Sequence, residues 1–95
     1  MAVRIRWSPK AVKGLQEICN FIEQNSEFYA ILFAKRVFNS ISNLKEFPLS
    51  GRIVPEYHNP NLREKIFDNY RIVYRIKEDV LEIVAICHGS RLLRL

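Results

Sequence analysis

The stretch that decides the fold is YRIVYRIKEDVLEIVAICH, residues 70–88. In residues 70–76, Tyr and Ile side chains alternate with two arginines and a valine, and this period of two indicates a β-strand with unlike faces. Residues 80–88 form a more continuously apolar run, which is typical of a strand inside a sheet. The polar residues 77–79 between the two runs predict a tight turn, so we expect the strands to pair as a hairpin.

The preceding segment predicts a third strand and a long loop. Residues 62–67 are a candidate strand, and Asp68-Asn69 after them is a turn signal of the hairpin kind. Three sequential strands joined by tight turns make an antiparallel meander. Residues 49–61 are rich in turn-forming residues and predict a loop that is long for so small a protein, and such loops are often functional.

The first half of the chain predicts one strand and two helices. Val3, Ile5 and Trp7 alternate with arginines and indicate a strand with one buried face. Ser8-Pro9 is a helix start, and Gln24-Asn25-Ser26 breaks the helical pattern and can cap a second helix, which ends before Pro48. The expected apolar stripes are Val12, Leu15, Ile18, Cys19 and Ile22 in the first helix, and Ala30, Phe33, Ala34, Val37, Ile41 and Leu44 in the second.

This order, β-α-α-β-β-β, predicts an α+β fold in which a helical hairpin packs on one face of an antiparallel sheet. The first strand is expected to join that sheet, because an isolated strand has no partner for its main chain. We expect residues 1–95 to form a single domain, since the chain shows no repeat and no low-complexity stretch.

Composition and charge narrow the class of protein. Fifteen Lys and Arg against ten Asp and Glu give a net charge of +5, which favours an anionic partner such as nucleic acid, the ribosome or an acidic protein segment. The two cysteines are too few for a disulfide framework and indicate a reducing compartment. There is no signal-peptide pattern and no apolar run of the roughly 18–20 residues that span a membrane. We therefore expect a cytoplasmic protein with no membrane partner.

Four short pieces of the chain, in this order, resemble the RelE/ParE toxin superfamily. The resemblance covers nearly the whole chain, and it is the order of the pieces that makes it specific. They are Trp7-Ser8-Pro9 with Ala11 and Leu15, then Phe47 to Arg52, then Leu62-Arg63-Glu64 followed by Tyr70 to Ile76, and finally Ile86 to Arg91 with its His-Gly-x-Arg ending.

The resemblance implies the toxin of a type II toxin–antitoxin system, a growth inhibitor whose cognate antitoxin is encoded beside it and forms a hetero-oligomer with it. The basic charge predicts that the antitoxin segment on the toxin is acidic. RelE-like members of the family enter the ribosome and cut mRNA, whereas ParE-like members inhibit DNA gyrase and cleave nothing.

Metal-free RNA cleavage needs a base, an acid and cations for the phosphate. If the protein is a nuclease, the candidate catalytic residues are His88, Arg63 and Arg71. The wider set expected to bind a nucleic acid or other target, as one basic patch on neighbouring strands, is Arg52, Arg63, Lys65, Arg71, Arg75 and Arg91. The alternatives are a solvated charged face and a histidine that only holds the end of its strand.

Other candidate residues have a plainer explanation. Glu56 and His58 lie in the long loop, where such residues are common. Glu64 lies between Arg63 and Lys65 in the sequence, so we expect it to be an ion-pair partner. Tyr70 and Tyr74 alternate with isoleucines and are expected in the core or at its rim. The spacing of cysteine and histidine predicts no metal site, and nothing in the sequence calls for a cofactor.

We favour the non-catalytic, ParE-like function. Nuclease members often carry a tyrosine near the C-terminus, and this chain has none after Tyr74. Some also carry an acidic residue where this chain has Ser50. The alternatives are a ribosome-dependent mRNA endoribonuclease and a non-toxic nucleic-acid or protein interaction module.

Overall fold

The computed structural model of the protein describes residues 3–95. Two helices and five strands follow one another along the chain in the order β-α-α-β-β-β-β. They are β1 (Arg4–Trp7), α1 (Pro9–Glu23), α2 (Glu27–Glu46), β2 (Arg52–Ile53), β3 (Leu62–Phe67), β4 (Tyr70–Lys77) and β5 (Val80–His88). The α+β class is confirmed, and the short strand β2 is an addition within the segment predicted as loop.

Both helices begin where the sequence predicts, each at a serine. The Ser8 hydroxyl accepts the N–H of Ala11 at 3.0 Å and donates to the carbonyl of Val84 at 2.8 Å, so one side chain caps α1 and ties it to β5. The Ser26 hydroxyl accepts the N–H of Tyr29 at 3.2 Å and caps α2. Neither helix in the described part of the chain is long and apolar enough to cross a membrane.

The sheet has the strand order β1-β5-β4-β3-β2. Strands β3 to β5 form the predicted antiparallel meander, and β2 adds a fourth strand antiparallel to β3. Strand β1 lies parallel to β5, with Arg4 opposite Val80 and Trp7 opposite Ile83, so the sheet is mixed and the expectation of a wholly antiparallel sheet is wrong at this edge. A tight turn forces antiparallel pairing only between consecutive strands, whereas β1 is separated from the meander by two helices, which permits a parallel pair.

The sheet is covered on both faces. On the helix face, α1 and α2 pack on β4 and β5 around the fully buried Val37, Leu44 and Tyr74. The opposite face, called here the outer face, carries a smaller apolar cluster beneath the segment 54–61 and the C-terminal segment 89–95. That cluster consists of Val54, Leu62, Val73, Val84, Ala85, Cys87 and Leu93.

The helix stripes fit the predicted positions with one exception. In α2 the buried residues are Ala30, Phe33, Val37, Ile41 and Leu44, as predicted. In α1 it is Ala11 that is fully buried, whereas Val12 is 41% exposed. Trp7 is partly buried and packs against the helix-face core, and Tyr74 lies within it, which confirms both as core residues.

Candidate functional site

Arg71 lies at the centre of a buried ion cluster on the outer face. Its side chain is 5% exposed. The Nε atom donates to Glu64 at 2.5 Å, and Nη1 and Nη2 donate to the two carboxylate oxygens of Glu56 at 2.9 Å each. Nη1 also donates to the carbonyl of Arg91 at 3.1 Å. The guanidinium is therefore committed to partners within the protein, and its bidentate pairing with Glu56 raises the pKa of Arg71.

The cluster also holds two segments of irregular chain against the sheet. Glu56 belongs to the segment 54–61, and its Oε2 accepts the backbone N–H of Leu93 at 3.1 Å. The hydrogen bonds from Arg71, with that from Leu93 second in importance, lower the pKa of Glu56 to about 2. One carboxylate therefore joins a loop and the C-terminal segment to β4.

Glu64 completes the cluster from β3. It is 1% exposed, and it accepts from Arg71 and, at 2.6 Å, from Nε of Arg52. The prediction that Glu64 is an ion-pair partner is confirmed, although its partners are Arg52 and Arg71 and not its chain neighbours. Two guanidinium groups face two carboxylates, so the cluster is neutral as a whole and its inner charges are compensated, as burial requires.

The predicted basic patch does not form on one face. Opposite residues of an antiparallel pair share a face. Arg63 lies opposite Tyr74 and Lys65 lies opposite Ile72, which places these two cations on the helix face, whereas Arg71 and Arg75 point to the outer face. The expectation of one surface was wrong because alternation within a strand does not fix its register, and a shift of one residue exchanges the faces.

Arg63 contacts main-chain carbonyls of the β2–β3 region. Its Nε donates to Pro60 at 2.8 Å, and its Nη1 donates to Gly51 at 3.0 Å and more weakly to Leu49 at 3.4 Å. Lys65 donates to the Ser50 hydroxyl at 3.3 Å. In this structure both cations therefore hold the segment after α2 in place.

The same segment is fixed from below by Tyr74. Its hydroxyl donates to the carbonyl of Pro48 at 2.7 Å and accepts the N–H of Gly51 at 2.9 Å. A Cβ at position 51 would lie 2.5 Å from that hydroxyl, so only glycine fits there. The piece from Phe47 to Arg52 thus has a structural explanation, since Pro48, Gly51 and Arg52 each contact side chains of the sheet.

The remaining predicted cations lie apart from one another. Arg75 is 46% exposed and lies 3.8 Å from Glu82, which also faces Arg6 at 3.6 Å. Arg91 is exposed and belongs to the C-terminal segment. None of the ion pairs among residues 3–95 includes the side chain of Arg91.

His88 ends β5 and is exposed to solvent. Its Nδ1 lies 2.7 Å from the Ser90 hydroxyl and accepts the N–H of Ser90 at 3.2 Å. Its ring packs edge-on against Tyr70, with 5.6 Å between centroids. Because Nδ1 accepts the backbone N–H, the neutral ring carries its proton on Nε2.

The structure therefore does not bring His88, Arg63 and Arg71 together as one catalytic group. Arg63 and Arg71 lie on opposite faces, and the Arg71 side chain is 5% exposed and donates four hydrogen bonds within the protein. Glu56, which the sequence indicated only as a loop residue, is the main partner of Arg71. No local pattern reveals this pairing, because it depends on how the segment 54–61 folds over the sheet.

The two cysteines are unpaired, as expected. Cys87 is buried beside Arg71, and burial raises the pKa of its thiol. Cys19 is half-buried in α1, and burial with the nearby Glu23 raises its pKa as well. Neither thiol has the lowered pKa of a reactive cysteine.

Comparison with known proteins decides the family. Residues 5–93 match the family model described as the ParE toxin of the type II toxin–antitoxin system parDE. The chain belongs to this ParE toxin family. The prediction of a RelE/ParE superfamily toxin is thereby confirmed. The chain is a toxin of the type II toxin–antitoxin class.

A curated relative agrees with this assignment, and two solved structures share the fold. The chain is 34% identical over 90 residues to "Putative toxin Y4kP" of Sinorhizobium fredii. The alignment covers 93% of this chain and 90% of that relative. The chain shares its fold with the chromosomal ParDE system of P. aeruginosa, with a TM-score of 0.76, 16% identity, and coverage of 94% of this chain and 98% of the other. It also shares its fold with the toxin–antitoxin complex RelBE2 of Mycobacterium tuberculosis, with a TM-score of 0.66 and 19% identity. That alignment covers 93% of this chain and 99% of the other.

Proposed function

We propose that this toxin arrests growth by binding a macromolecular target, DNA gyrase or a related enzyme, without cutting RNA, and that an acidic antitoxin neutralises it. The observation that carries the proposal is that the guanidinium of Arg71 is buried and bound to partners within the protein. A nuclease needs cations that are free to meet a scissile phosphate. The guanidinium of Arg71 is buried and donates four hydrogen bonds within the protein, to Glu56, Glu64 and the Arg91 carbonyl.

The covering of the outer face supports the same proposal. The segments 54–61 and 89–95 lie over the strands that would have to present catalytic side chains, and apolar residues fill the space beneath them. His88 lies at the end of β5, where its Nδ1 contacts Ser90. A binding protein needs no such convergence of acid, base and cation, because shape and surface chemistry are sufficient.

An exposed apolar stripe on α2 supplies a surface for such binding. Phe28, Ile31, Leu32 and Phe38 recur at steps of three and four residues, and each is between 38 and 68% exposed. The stripe lies opposite the buried stripe of the same helix, with Lys35 within it. Apolar patches of this kind mark interaction sites more often than inert surface.

The partner assignment comes from the relatives. Two solved structures with this fold are a ParDE toxin–antitoxin system and the RelBE2 toxin–antitoxin complex. The net charge of +5 favours an acidic partner over a basic one. We therefore expect the toxin to form a hetero-oligomer with an acidic antitoxin.

Pulse-labelling after induction in a bacterium without the antitoxin tests the proposal. We expect thymidine incorporation to fall before methionine incorporation, and purified protein to inhibit DNA supercoiling by gyrase. Arrest of methionine incorporation within minutes, with thymidine incorporation continuing and mRNA cut, would overturn the proposal in favour of a ribosome-dependent endoribonuclease.

Variants separate the two mechanisms in the same assay. His88→Ala should keep full growth arrest, because no acid–base step depends on it. The pair Phe28→Ser and Phe38→Ser should lose arrest while the protein stays folded by circular dichroism. Leu49→Ser, at a residue 64% exposed outside the stripe, is the matched control and should behave as wild type. Loss of arrest in a folded His88→Ala protein would contradict the non-catalytic mechanism.

A further inference from the structure

A small pocket lies where the helical hairpin meets the turn between β3 and β4, and its volume is about 160 Å³. Pockets for drug-sized ligands measure about 300–1,000 Å³, so this one suits a single side chain. Three aromatic residues line it, Tyr29, Phe33 and Tyr70, and we call it the aromatic pocket. It shares none of its residues with the ion cluster around Arg71.

The inner wall of the aromatic pocket belongs to the helix-face core. Phe33 is buried, and its ring packs edge-on against Tyr70, with 4.9 Å between centroids. The other neighbour of Phe33 is Phe67, on which it stacks with 5.4 Å between centroids. Rings packed together in a core hold one another in place. The inner wall is therefore formed before a ligand binds.

The outer wall continues the exposed apolar stripe of α2. Leu32 belongs to both the stripe and the pocket, and it is 38% exposed. Phe28 of the stripe packs edge-on against Tyr29, with 5.4 Å between centroids. A protein bound on the stripe would therefore lie directly beside the pocket.

The rim of the aromatic pocket carries one ion pair with hydrogen-bonding capacity to spare. Arg36 Nη1 donates to Asp68 Oδ2 at 3.2 Å, and both side chains are about half exposed. Within residues 3–95 neither side chain makes a second hydrogen bond. These two are the charged residues of the lining, so the rim has no net charge.

We propose that the aromatic pocket receives a tyrosine side chain from the protein target, with its ring against Phe33 and its hydroxyl at the ion pair on the rim. A phenol hydroxyl both donates and accepts, so it can donate to Asp68 and accept from Arg36. Tyrosine is also among the residues that most often anchor an interface in a pocket. The target as the source of the tyrosine rests on the proposed function, whereas the preference of the pocket for a phenol does not.

Other ligands match the rim less well. Phenylalanine fills the apolar part of the pocket but leaves Arg36 and Asp68 partly desolvated without a new partner. The indole N–H of tryptophan only donates, so it offers nothing to Arg36. A phosphate is attracted by Arg36 and repelled by Asp68, so a nucleotide gains little from its charge.

Titration of the ¹⁵N-labelled protein with N-acetyl-tyrosinamide and, separately, with N-acetyl-phenylalaninamide tests the proposal. We expect the largest amide shifts at Leu32, Asp68 and Tyr70. The affinity for the tyrosine probe should be about threefold to tenfold higher, which is the usual gain from a hydrogen bond.

The informative variant removes both members of the ion pair, as Arg36→Met with Asp68→Gly. Glycine suits position 68, where φ is 51°. This variant should still bind the phenylalanine probe, and its affinities for the two probes should differ by less than about twofold. The control is Arg4→Met with Asp79→Gly, which removes an exposed ion pair of 3.6 Å at the turn between β4 and β5 and should keep the preference for tyrosine.

Several outcomes of the titration would overturn the proposal. They are equal wild-type affinities for the two probes, loss of the preference in the control as well, and shifts that spread over the apolar surface without saturation. Adenosine monophosphate that bound the pocket more tightly than the tyrosine probe would also overturn it and would indicate a nucleotide ligand.

Growth arrest is measured separately. A wild-type protein that prefers the tyrosine probe but does not arrest growth would contradict the proposed function and leave the pocket assignment intact. A protein that arrests growth without this preference would do the reverse. If the wild type does both, the variant at Arg36 and Asp68 should arrest growth more weakly than the control. Equal arrest by the two would rule out the target as the source of the tyrosine.

Discussion

At the scale of single residues, Glu56 is a carboxylate held by three hydrogen bonds, two from Arg71 and one from the N–H of Leu93. Its pKa is lowered from 4.5 to about 2, first by the hydrogen bonds from Arg71 and then by the N–H of Leu93. A carboxyl group with a lowered folded-state pKa stabilises the fold above its unfolded pKa. This stabilisation is therefore complete above about pH 4.5 and is lost as the pH falls towards 2.

The prediction is a pH-dependent difference between wild type and Glu56→Gln. Near neutral pH the variant should have a lower free energy of unfolding in urea. That difference should shrink between about pH 4.5 and pH 2, because the wild type loses its ionised carboxylate there. Glu46→Gln, at an exposed glutamate near the end of α2, serves as control. A difference that stayed constant down to pH 2 would show that Arg71 does not hold Glu56 ionised.

At the scale of helices and strands, helix propensity and tertiary packing favour different residues at Gly14. Glycine within a helix costs about 1 kcal/mol relative to alanine, so propensity alone predicts that Gly14→Ala is stabilising. A Cβ at this position would overlap the carbonyl oxygen of Ile86, and that oxygen belongs to the backbone of β5 and cannot swing away. Relief of the overlap would require α1 to move away from the sheet.

We therefore expect Gly14→Ala to lower the free energy of unfolding by about 1–3 kcal/mol, the usual cost of overpacking. Asn20→Ala, at an exposed position of the same helix, measures the propensity effect without the contact and should be neutral or slightly stabilising. The two variants are compared by urea denaturation. A stabilised Gly14→Ala protein would mean that α1 does not approach β5 this closely.

Much of the secondary structure follows from local signals. Ser8 and Ser26 cap the helices, Pro48 follows the end of α2, and the turns at Asp68 and Glu78 separate the strands. These signals act over a few residues and need no knowledge of the fold. The remaining features depend on contacts between distant segments. The parallel direction of β1 is one of these, because no turn connects it to β5.

The candidate site depends still more on such contacts. Alternation shows that Arg71 and Arg75 share a face, but the faces of Arg63 and Lys65 follow only from the register between β3 and β4. The burial of Arg71 depends on Glu56, fifteen residues away in a loop. Lys10 of α1 donates to the carbonyl of Arg94 near the end of the chain, a proximity that the sequence pattern does not encode.

At the scale of the whole molecule, the apolar clusters on the two faces of the sheet contribute unequally to the free energy of unfolding. The helix-face core is larger and includes both helices, whereas the outer-face cluster depends on a loop and the C-terminal segment. Small peripheral clusters open locally at a lower free energy than the main core. The C-terminal segment 89–95 should therefore be able to detach without unfolding of the helices.

Two leucine truncations test this division. Leu44→Ala removes a fully buried side chain between α2 and the sheet and should lower the global free energy of unfolding by about 2–5 kcal/mol.

Leu93→Ala removes the apolar contact of the C-terminal segment, so hydrogen exchange should accelerate at the amides of Leu93 and Leu95, which Glu56 and Tyr57 bind. Amides of β4 and α2 should keep their protection in that variant, because their bonds lie in the main core. If Leu93→Ala accelerated exchange equally throughout the sheet and helices, the outer cluster would be part of one cooperative core.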